Sequence, residues 1–424
     1  MNQSIEKKLT NLSEADQQTL IKLYQLRCLS IQQAYRLYYQ STVDFKTFVK
    51  KNLSELVQLK LVKLNHYKEN EFGITLENEG VQVVRQLLKL PPNIFTKDKR
   101  MVQRGYLRAS DLRVLPRFMN HQIHLNEFIL QFEARFQAKY SQYRYKYFDE
   151  KHLTHYLSIR PDGLLHLFDV DLFLEMDMGT ETKKALEQKW RHYRQFITNE
   201  DFKYQERRMI IFMFCEGTEN VQSRRELILK TAFEILGDYF SNQIDMYIGS
   251  TEELTHLLFE KLIPHWLQED PSLPNWQRLL KAKGFKLFRA TQFNQYFKKG
   301  HYQLFAQLPL KNHQGDHLLQ EFFLDDWRAQ RLAICTNIAF FYQNLKHLER
   351  AYPRPVNYLI CTNDETQCQE LLTILQLLNE KNVYFTTIER LKKYPLEQAI
   401  FCFDFEGNRY HFQSLTFDKK ILET

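Results

Sequence analysis

The sequence predicts a mixed α/β (α+β) chain in three folded parts: an N-terminal winged helix-turn-helix, a central α/β domain and a C-terminal α/β domain. Its 424 residues exceed what one ordinary core fills. Apolar positions recur at helical spacing through the first sixty residues and then fall into two short strand-like runs. Beyond residue 160, apolar runs of strand length take turns with amphipathic helical stretches.

In the first part, residues 1–92, Ser13 with Asp16 and Ser30 with Gln33 read as helix N-caps, and Asp44 caps a third helix carrying Phe45, Phe48, Leu53 and Leu56. Leu61–Asn65 and Phe72–Leu76 then read as two strands around a polar tip, and Thr75 is expected to open a further helix that stops at Pro91-Pro92. If the third helix enters a major groove, Lys46, Thr47, Lys50 and Lys51 lie along its exposed face, with Lys63 and Lys68 near flanking phosphates. The alternatives are a solvated lysine face or a protein-docking module. Residues 93–118 read as a basic linker in which Arg100, Arg104 and Arg108 can track phosphates, or as an ordinary solvated connection.

The central part, residues 119–268, carries the chemistry-bearing side chains. Glu127 falls near the start of a helix striped by Phe128, Phe132 and Phe136, after His121 and Asn126. Arg160-Pro161-Asp162-Gly163 places Asp162 in a tight turn at the lip of a strand. In Val170–Asp177, Glu175 and Asp177 are two apart and share one strand face. Asp162, Glu175 and Asp177 thus offer hard oxygen ligands of the kind Mg2+ or Mn2+ takes, and such an ion activates water and stabilises a phosphoryl oxygen. A helix beginning near Thr180-Glu181 puts Lys189 and Tyr193, four apart, on one face, from which Lys189 can meet phosphate charge.

The order Glu127, Asp162, Glu175-x-Asp177 and a helical Lys189 resembles the restriction-endonuclease-like, or PD-(D/E)XK, superfamily. There the last motif is Glu-x-Lys, so Asp177 stands where the resemblance puts a lysine, and Lys189 looks like its displaced replacement. The phrases His121-x-Ile-x-x-Asn126-Glu127, Arg160-Pro-Asp162-Gly and Phe173-Leu-Glu-Met-Asp-Met-Gly-Thr-Glu181, followed by Lys189-x-x-x-Tyr193, resemble the plasmid replication-relaxation family over about residues 12–265. That family is similar to conjugative relaxases of the MOBC class. The resemblance implies metal-dependent, site- and strand-specific nicking of double-stranded DNA at an origin-of-transfer-like site, in company with accessory relaxosome and coupling proteins. It leaves Glu127 and Lys189 as catalytic candidates, and His121, Asn126, Arg160, Glu181 and Tyr193 as secondary ones. The rival expectation is a non-catalytic DNA-binding regulator or replication initiator on a nuclease-like scaffold.

Residues 269–424 repeat the central pattern. Glu321–Asp326, the helix through Tyr342, Val356–Cys361 and Val383–Leu391 follow one another as Leu172–Asp177, the Lys189 helix, Ile210–Cys215 and Met246–Leu254 do. This part is either a degenerate second copy, with Trp327 where Asp177 was, or an unrelated strand-helix-strand pair. The net charge of +7 restricts any polyanion surface to local patches. Six scattered cysteines without zinc spacing read as reduced thiols, and no window reaches the roughly 18 apolar residues of a membrane span, so a cytoplasmic protein is expected.

Overall fold

The computed structural model describes residues 8–98, 101–103, 105–153, 156–199, 207–217, 220–241, 243–267, 275–289, 304–311, 317–329, 331–351, 356–375, 382–403 and 409–412. Arg100 and Arg104 lie outside the described residues. The chain divides into two compact units, Met1–His155 with Asp162–Leu164, and Tyr156–Pro161 with Leu165–Thr424.

The first unit opens with α1 (Glu14–Leu26), whose capping box joins Ser13 and Asp16 in both directions. Asp16 is buried and also accepts from the Tyr39 hydroxyl at 2.6 Å, which ties the start of α1 to the end of α2 (Ile31–Tyr38). The third helix, α3, is α-helical over Phe45–Thr47, π-helical over Phe48–Leu53 and α-helical again over Ser54–Gln58, with Asp44 as its cap. Its Phe48, Leu53 and Leu56 are buried, while Lys46, Thr47, Lys50 and Lys51 are exposed. β1 (Cys28–Ser30), β2 (Val62–Lys68) and β3 (Glu71–Leu76) form an antiparallel sheet in the order β1-β3-β2. Thr75 belongs to β3 rather than opening a helix, because its backbone is paired with Lys63 and Cys28; the next helix, α4, is Asn78–Leu87.

The long helix α5 (Pro116–Tyr140) packs on this sheet, so a helix that the sequence divides between the linker and the central part, mostly the latter, joins the first unit, followed by β4 (Tyr145–Asp149). Gly73 permits the close approach, since a Cβ there would stand 2.2 Å from Met119 Sδ. Asn126, fully buried, donates to the carbonyls of Leu26 and Cys28 at 3.1 and 2.6 Å and accepts from Gln122 at 3.0 Å. A buried amide satisfied on both sides is a strong locator of one helix on its neighbours.

In the second unit, β6 (Val170–Asp177), β7 (Arg208–Cys215) and β8 (Ile244–Gly249) are parallel neighbours, and β5 (Gly163–Leu167), of which Leu165–Leu167 belong to this unit, borders β6. Helices α6 (Lys183–Thr198) and α7 (Val221–Leu236) pack on each other, and α8 (Thr251–Leu257) follows β8. The C-terminal part opens with α9 (Asn275–Ala282) and β9 (Lys286–Arg289). It then repeats the pattern: β10 (Leu304–Lys311) pairs antiparallel with β11 (His317–Asp326), and β11, β12 (Val356–Thr362) and β13 (Val383–Thr387) are parallel. Helix α10 (Leu332–Ala351) follows β11, α11 (Glu365–Leu375) joins β12 to β13, and α12 (Ile388–Lys393) follows β13. The strand orders β5-β6-β7-β8 and β10-β11-β12-β13 therefore coincide.

Register makes the correspondence residue-specific. Ser250 caps α8 and Thr387 caps α12, and the residues two before them are Ile248 and Phe385. Ile248 pairs with Met213 and Met213 with Glu175; Phe385 pairs with Ile360 and Ile360 with Asp325. Asp325 thus occupies the place of Glu175, and buried Trp327 that of Asp177. The two modules are fastened by Asp245 of β8, which takes Arg331 as an ion-pair partner and the Ala333 amide at 3.3 Å, and by the Thr336 hydroxyl on the Gly237 carbonyl at 2.7 Å. All six cysteines are buried, with no disulfide between them. Among the described residues no helix is long and apolar enough to cross a membrane.

Burial pushes the Asp325 carboxyl up to about 6, against hydrogen bonds from Tyr358 and from Asn337 at 2.9 Å. The folded state therefore holds a proton that the unfolded chain, with an ordinary value near 4, releases first. Stability should be greatest below pH 4 as far as this group is concerned, and fall by roughly 2–3 kcal/mol as pH rises from 4 to 7. Urea unfolding at a series of pH values checks it: Asp325→Asn should flatten that part of the curve, and an unchanged slope would contradict the assignment.

Candidate functional site

β6 is an apolar run buried along nearly all its length, and it ends in two carboxylates on one face. Beyond it Gly179 adopts φ 75°, and its amide reaches Asp177 Oδ1 at 3.2 Å. Thr182 then caps α6 by accepting from the Ala185 amide at 3.2 Å. The apolar stripe of α6 buries Leu186, Trp190 and Phe196, and the Trp190 indole donates to Thr231 of α7 at 3.1 Å. That stripe sets the rotation of the helix, and Lys189 and Tyr193 ride on its edge toward β6.

The outcome is a contact set around Glu175, which is 3% exposed. Tyr193 Oη donates to Glu175 Oε1 at 2.6 Å, and Lys189 Nζ donates to Glu175 Oε2 at 2.9 Å. Lys189 also pairs with Glu181 Oε1 at 3.1 Å, and Glu181 Oε2 is buried without a hydrogen-bond partner among the described residues. Glu175, Lys189 and Tyr193 line an open cleft of about 750 Å3, whose other walls include Arg160, His192 and Asn199. A carboxylate, an ammonium and a phenol thus meet in a space with a cationic rim.

Asp177 faces the same side but is closed off. Arg224 of α7 donates to both of its oxygens, Nε to Oδ2 at 2.5 Å and Nη2 to Oδ1 at 2.7 Å, and the Asp177 side chain has no exposed surface. The remaining guanidinium nitrogen Nη1 holds the Glu181 carbonyl at 2.6 Å. The aspartate's hydrogen bond and burial act in opposite senses on Arg224, and the bond prevails, raising it above its ordinary value. Sequence reasoning missed Arg224; the signal available was that an aspartate ending a buried strand requires a cation, and Arg224-Arg225 open the helix after the next strand.

The other expected residues lie in the first unit. Glu127 accepts from Arg36 at 2.8 and 2.7 Å and from Gln33 and Gln131 at 3.1 and 3.0 Å. These bonds prevail over burial and hold its carboxyl below the ordinary range. Glu127 is therefore bound to α2, a role its place in the motif order does not suggest. Asp162 contacts His121 at 3.2 Å, and Asn126 is the interior locator described above. Lys63 is exposed, Lys68 pairs with Glu71 at 3.2 Å, and Arg108 pairs with Asp111 at 3.1 Å.

Among the described residues no three His, Cys, Asp or Glu side chains are grouped so as to hold a metal ion. The carboxylates on Lys189 are Glu175, which lines the cleft, and Glu181 beside it, both hard oxygen donors, with Oε2 of Glu181 without a hydrogen-bond partner among the described residues. That pair suits an ion such as Mg2+, which is commonly held by one or two carboxylates and keeps most of its waters. Asp177 does not suit it, since its side chain has no exposed surface and both oxygens are held by the one Arg224 guanidinium, whereas Glu175 lies on the cleft wall.

Removing Arg224 would strand a buried charge. Arg224→Ala should destabilise the chain by about 3–5 kcal/mol in urea unfolding, and adding Asp177→Leu to it should recover most of the loss. A loss under about 1 kcal/mol in the single variant would show that the pair is not buried in solution.

The sequence profile of the replication-relaxation family matches residues 20–210. No curated protein and no solved structure matches the chain. The matched stretch takes in Glu175, Glu181, Lys189 and Tyr193 and stops within β7, short of Arg224 and of the C-terminal module. It supports a role in the replication or transfer of a plasmid or similar element. Over residues 20–210 the chain is similar to the replication-relaxation family.

Proposed function

We propose that the chain is a relaxase: a Mg2+- or Mn2+-dependent enzyme that nicks one strand of duplex DNA at an origin-of-transfer-like site of a plasmid or integrative element. The observation that carries this is the 2.9 Å contact of Lys189 with Glu175. A lysine beside a strand carboxylate is the pairing that a nuclease of the restriction type needs, and α6 delivers it where the strand itself supplies Asp177 instead.

In this scheme Glu175 and Glu181 would hold the cation, which would supply water activation and charge neutralisation at the phosphoryl group. Lys189 carries positive charge to the oxygen on which charge develops as the P–O bond breaks. Tyr193 fixes Oε1 of Glu175, so that Oε2 keeps its aim. Arg160 and His192 on the cleft walls can take neighbouring phosphates. The three helices and hairpin of the first unit act as a winged helix-turn-helix, with Lys46, Thr47, Lys50 and Lys51 turned to duplex DNA. Accessory relaxosome and coupling proteins are the partners such an activity calls for.

A second reading has its own support. Arg224 occupies Asp177 completely, which leaves fewer open carboxylates than a two-metal site uses, and this favours a DNA-binding replication factor on a nuclease-like scaffold. One assay separates the two. Wild type with Mn2+ should convert supercoiled plasmid bearing the cognate origin to open circles. Lys189→Met should slow this about 100-fold or more, and Glu175→Gln should abolish it, with DNA binding retained in both. Full activity in Glu175→Gln, or binding without nicking in wild type, would move the assignment to the second reading.

A further inference from the structure

A second cleft, of about 310 Å3, lies between the two modules of the second unit and shares no residue with the Glu175 cleft. Arg225 enters it from α7, His256 from α8, and Lys261 from the π-helical turn Leu258–Leu262 that follows. The C-terminal module supplies Arg328, just past β11, and Asn363, just past β12. Crevices beyond the carboxyl ends of parallel strands are favoured seats for phosphorylated ligands in α/β folds. Here two such strand sets open onto the same space.

The charges in this cleft are unbalanced. Among the described residues the one carboxylate on its wall is Glu253, which is engaged by Arg225 and, in the capping box of α8, by the Ser250 amide at 2.7 Å. Arg328 is turned onto Asp326, at 2.8 and 2.6 Å, yet remains beside Lys261. Burial, with the Arg328 charge adding to it and Asp326 opposing, holds the Lys261 ammonium below its ordinary value. Arg225 Nε is buried with no hydrogen-bond partner among the described residues. Cations gathered in a poorly solvated crevice repel one another, and an anion entering it relieves that cost while supplying the missing acceptor. Guanidinium groups in particular match the oxygens of a phosphate.

We propose that this cleft between the modules binds a phosphate group, presented either by a nucleic-acid strand or by a free nucleotide, with Arg225, Lys261 and Arg328 as its cationic contacts. The C-terminal module thereby has a part in ligand binding, through Arg328 and Asn363, although its own counterpart of Glu175 lacks a lysine. The site is independent of cleavage.

The test uses the full chain in EDTA, where no nicking occurs, and fluorescence anisotropy with two probes: a labelled single-stranded oligonucleotide and a labelled adenosine triphosphate. Lys261→Glu should weaken at least one probe about tenfold. Loss on the oligonucleotide, with a salt slope reduced by about one, identifies a strand phosphate; loss on the triphosphate alone identifies a nucleotide. Lys261→Met, which adds no charge, should give a smaller loss in the same probe, and it serves if the glutamate variant fails to fold. Wild type that binds neither probe, or Lys261 variants that bind both as wild type does, overturn the proposal. Phosphate binding here with no nicking anywhere would sink the relaxase reading and leave this one standing.

Discussion

The second unit depends on how the chain meets the burial of Asp177. A carboxylate with no exposed surface at the end of a central strand is tolerable only if a cation is buried with it and every hydrogen-bonding position is used. Arg224 fulfils this with two nitrogens on the carboxylate and a third on the Glu181 carbonyl. One guanidinium thereby fastens the end of β6, the start of α7 and the loop that leads into α6. The loop carries Glu181, and α6 carries Lys189 and Tyr193. The aim of those side chains at Glu175 is inherited from a pair that does no chemistry itself.

The C-terminal module shows what the same scaffold does without that device. In the place of Asp177 stands Trp327, which fills the space with an apolar ring and calls for no arginine. In the place of Glu175 stands the shorter Asp325, met by the neutral Asn337 and Tyr358 rather than by a lysine. Its pKa is raised because burial outweighs the hydrogen bonds from Tyr358 and Asn337 and the charge of Arg331. The two modules share strand order and helix order, yet among the described residues only the first brings carboxylate and ammonium together on one cleft wall. The packing is common to both modules and the charged site is not, while the cleft between the modules has cations of its own.

Much of this was legible in the sequence for identifiable reasons. Ser13, Ser30 and Asp44 cap the helices they announce, since a side-chain acceptor three residues before a free amide is a local event. The convergence of Glu175 with Lys189 and Tyr193 follows from strand alternation and a four-residue helical spacing, both short-range rules. Long-range partners were not legible. Nothing near Glu127 discloses that Arg36, far away in the chain, will claim it, and nothing near Asp177 names Arg224. The reach of α5 onto β1 and β2 was hidden for the same cause, because Asn126 reads as a polar interruption until the carbonyls of Leu26 and Cys28 are in place.

The central claim is that the Glu175 carboxylate, and not the acidic residues of the first unit, is where a divalent ion binds. Electron paramagnetic resonance of Mn2+ titrated into the full chain tests it without requiring a DNA substrate. The account predicts a bound Mn2+ population that disappears in Glu175→Gln and persists in Glu127→Gln. Binding that survives Glu175→Gln, or that is lost with Glu127→Gln, would contradict it.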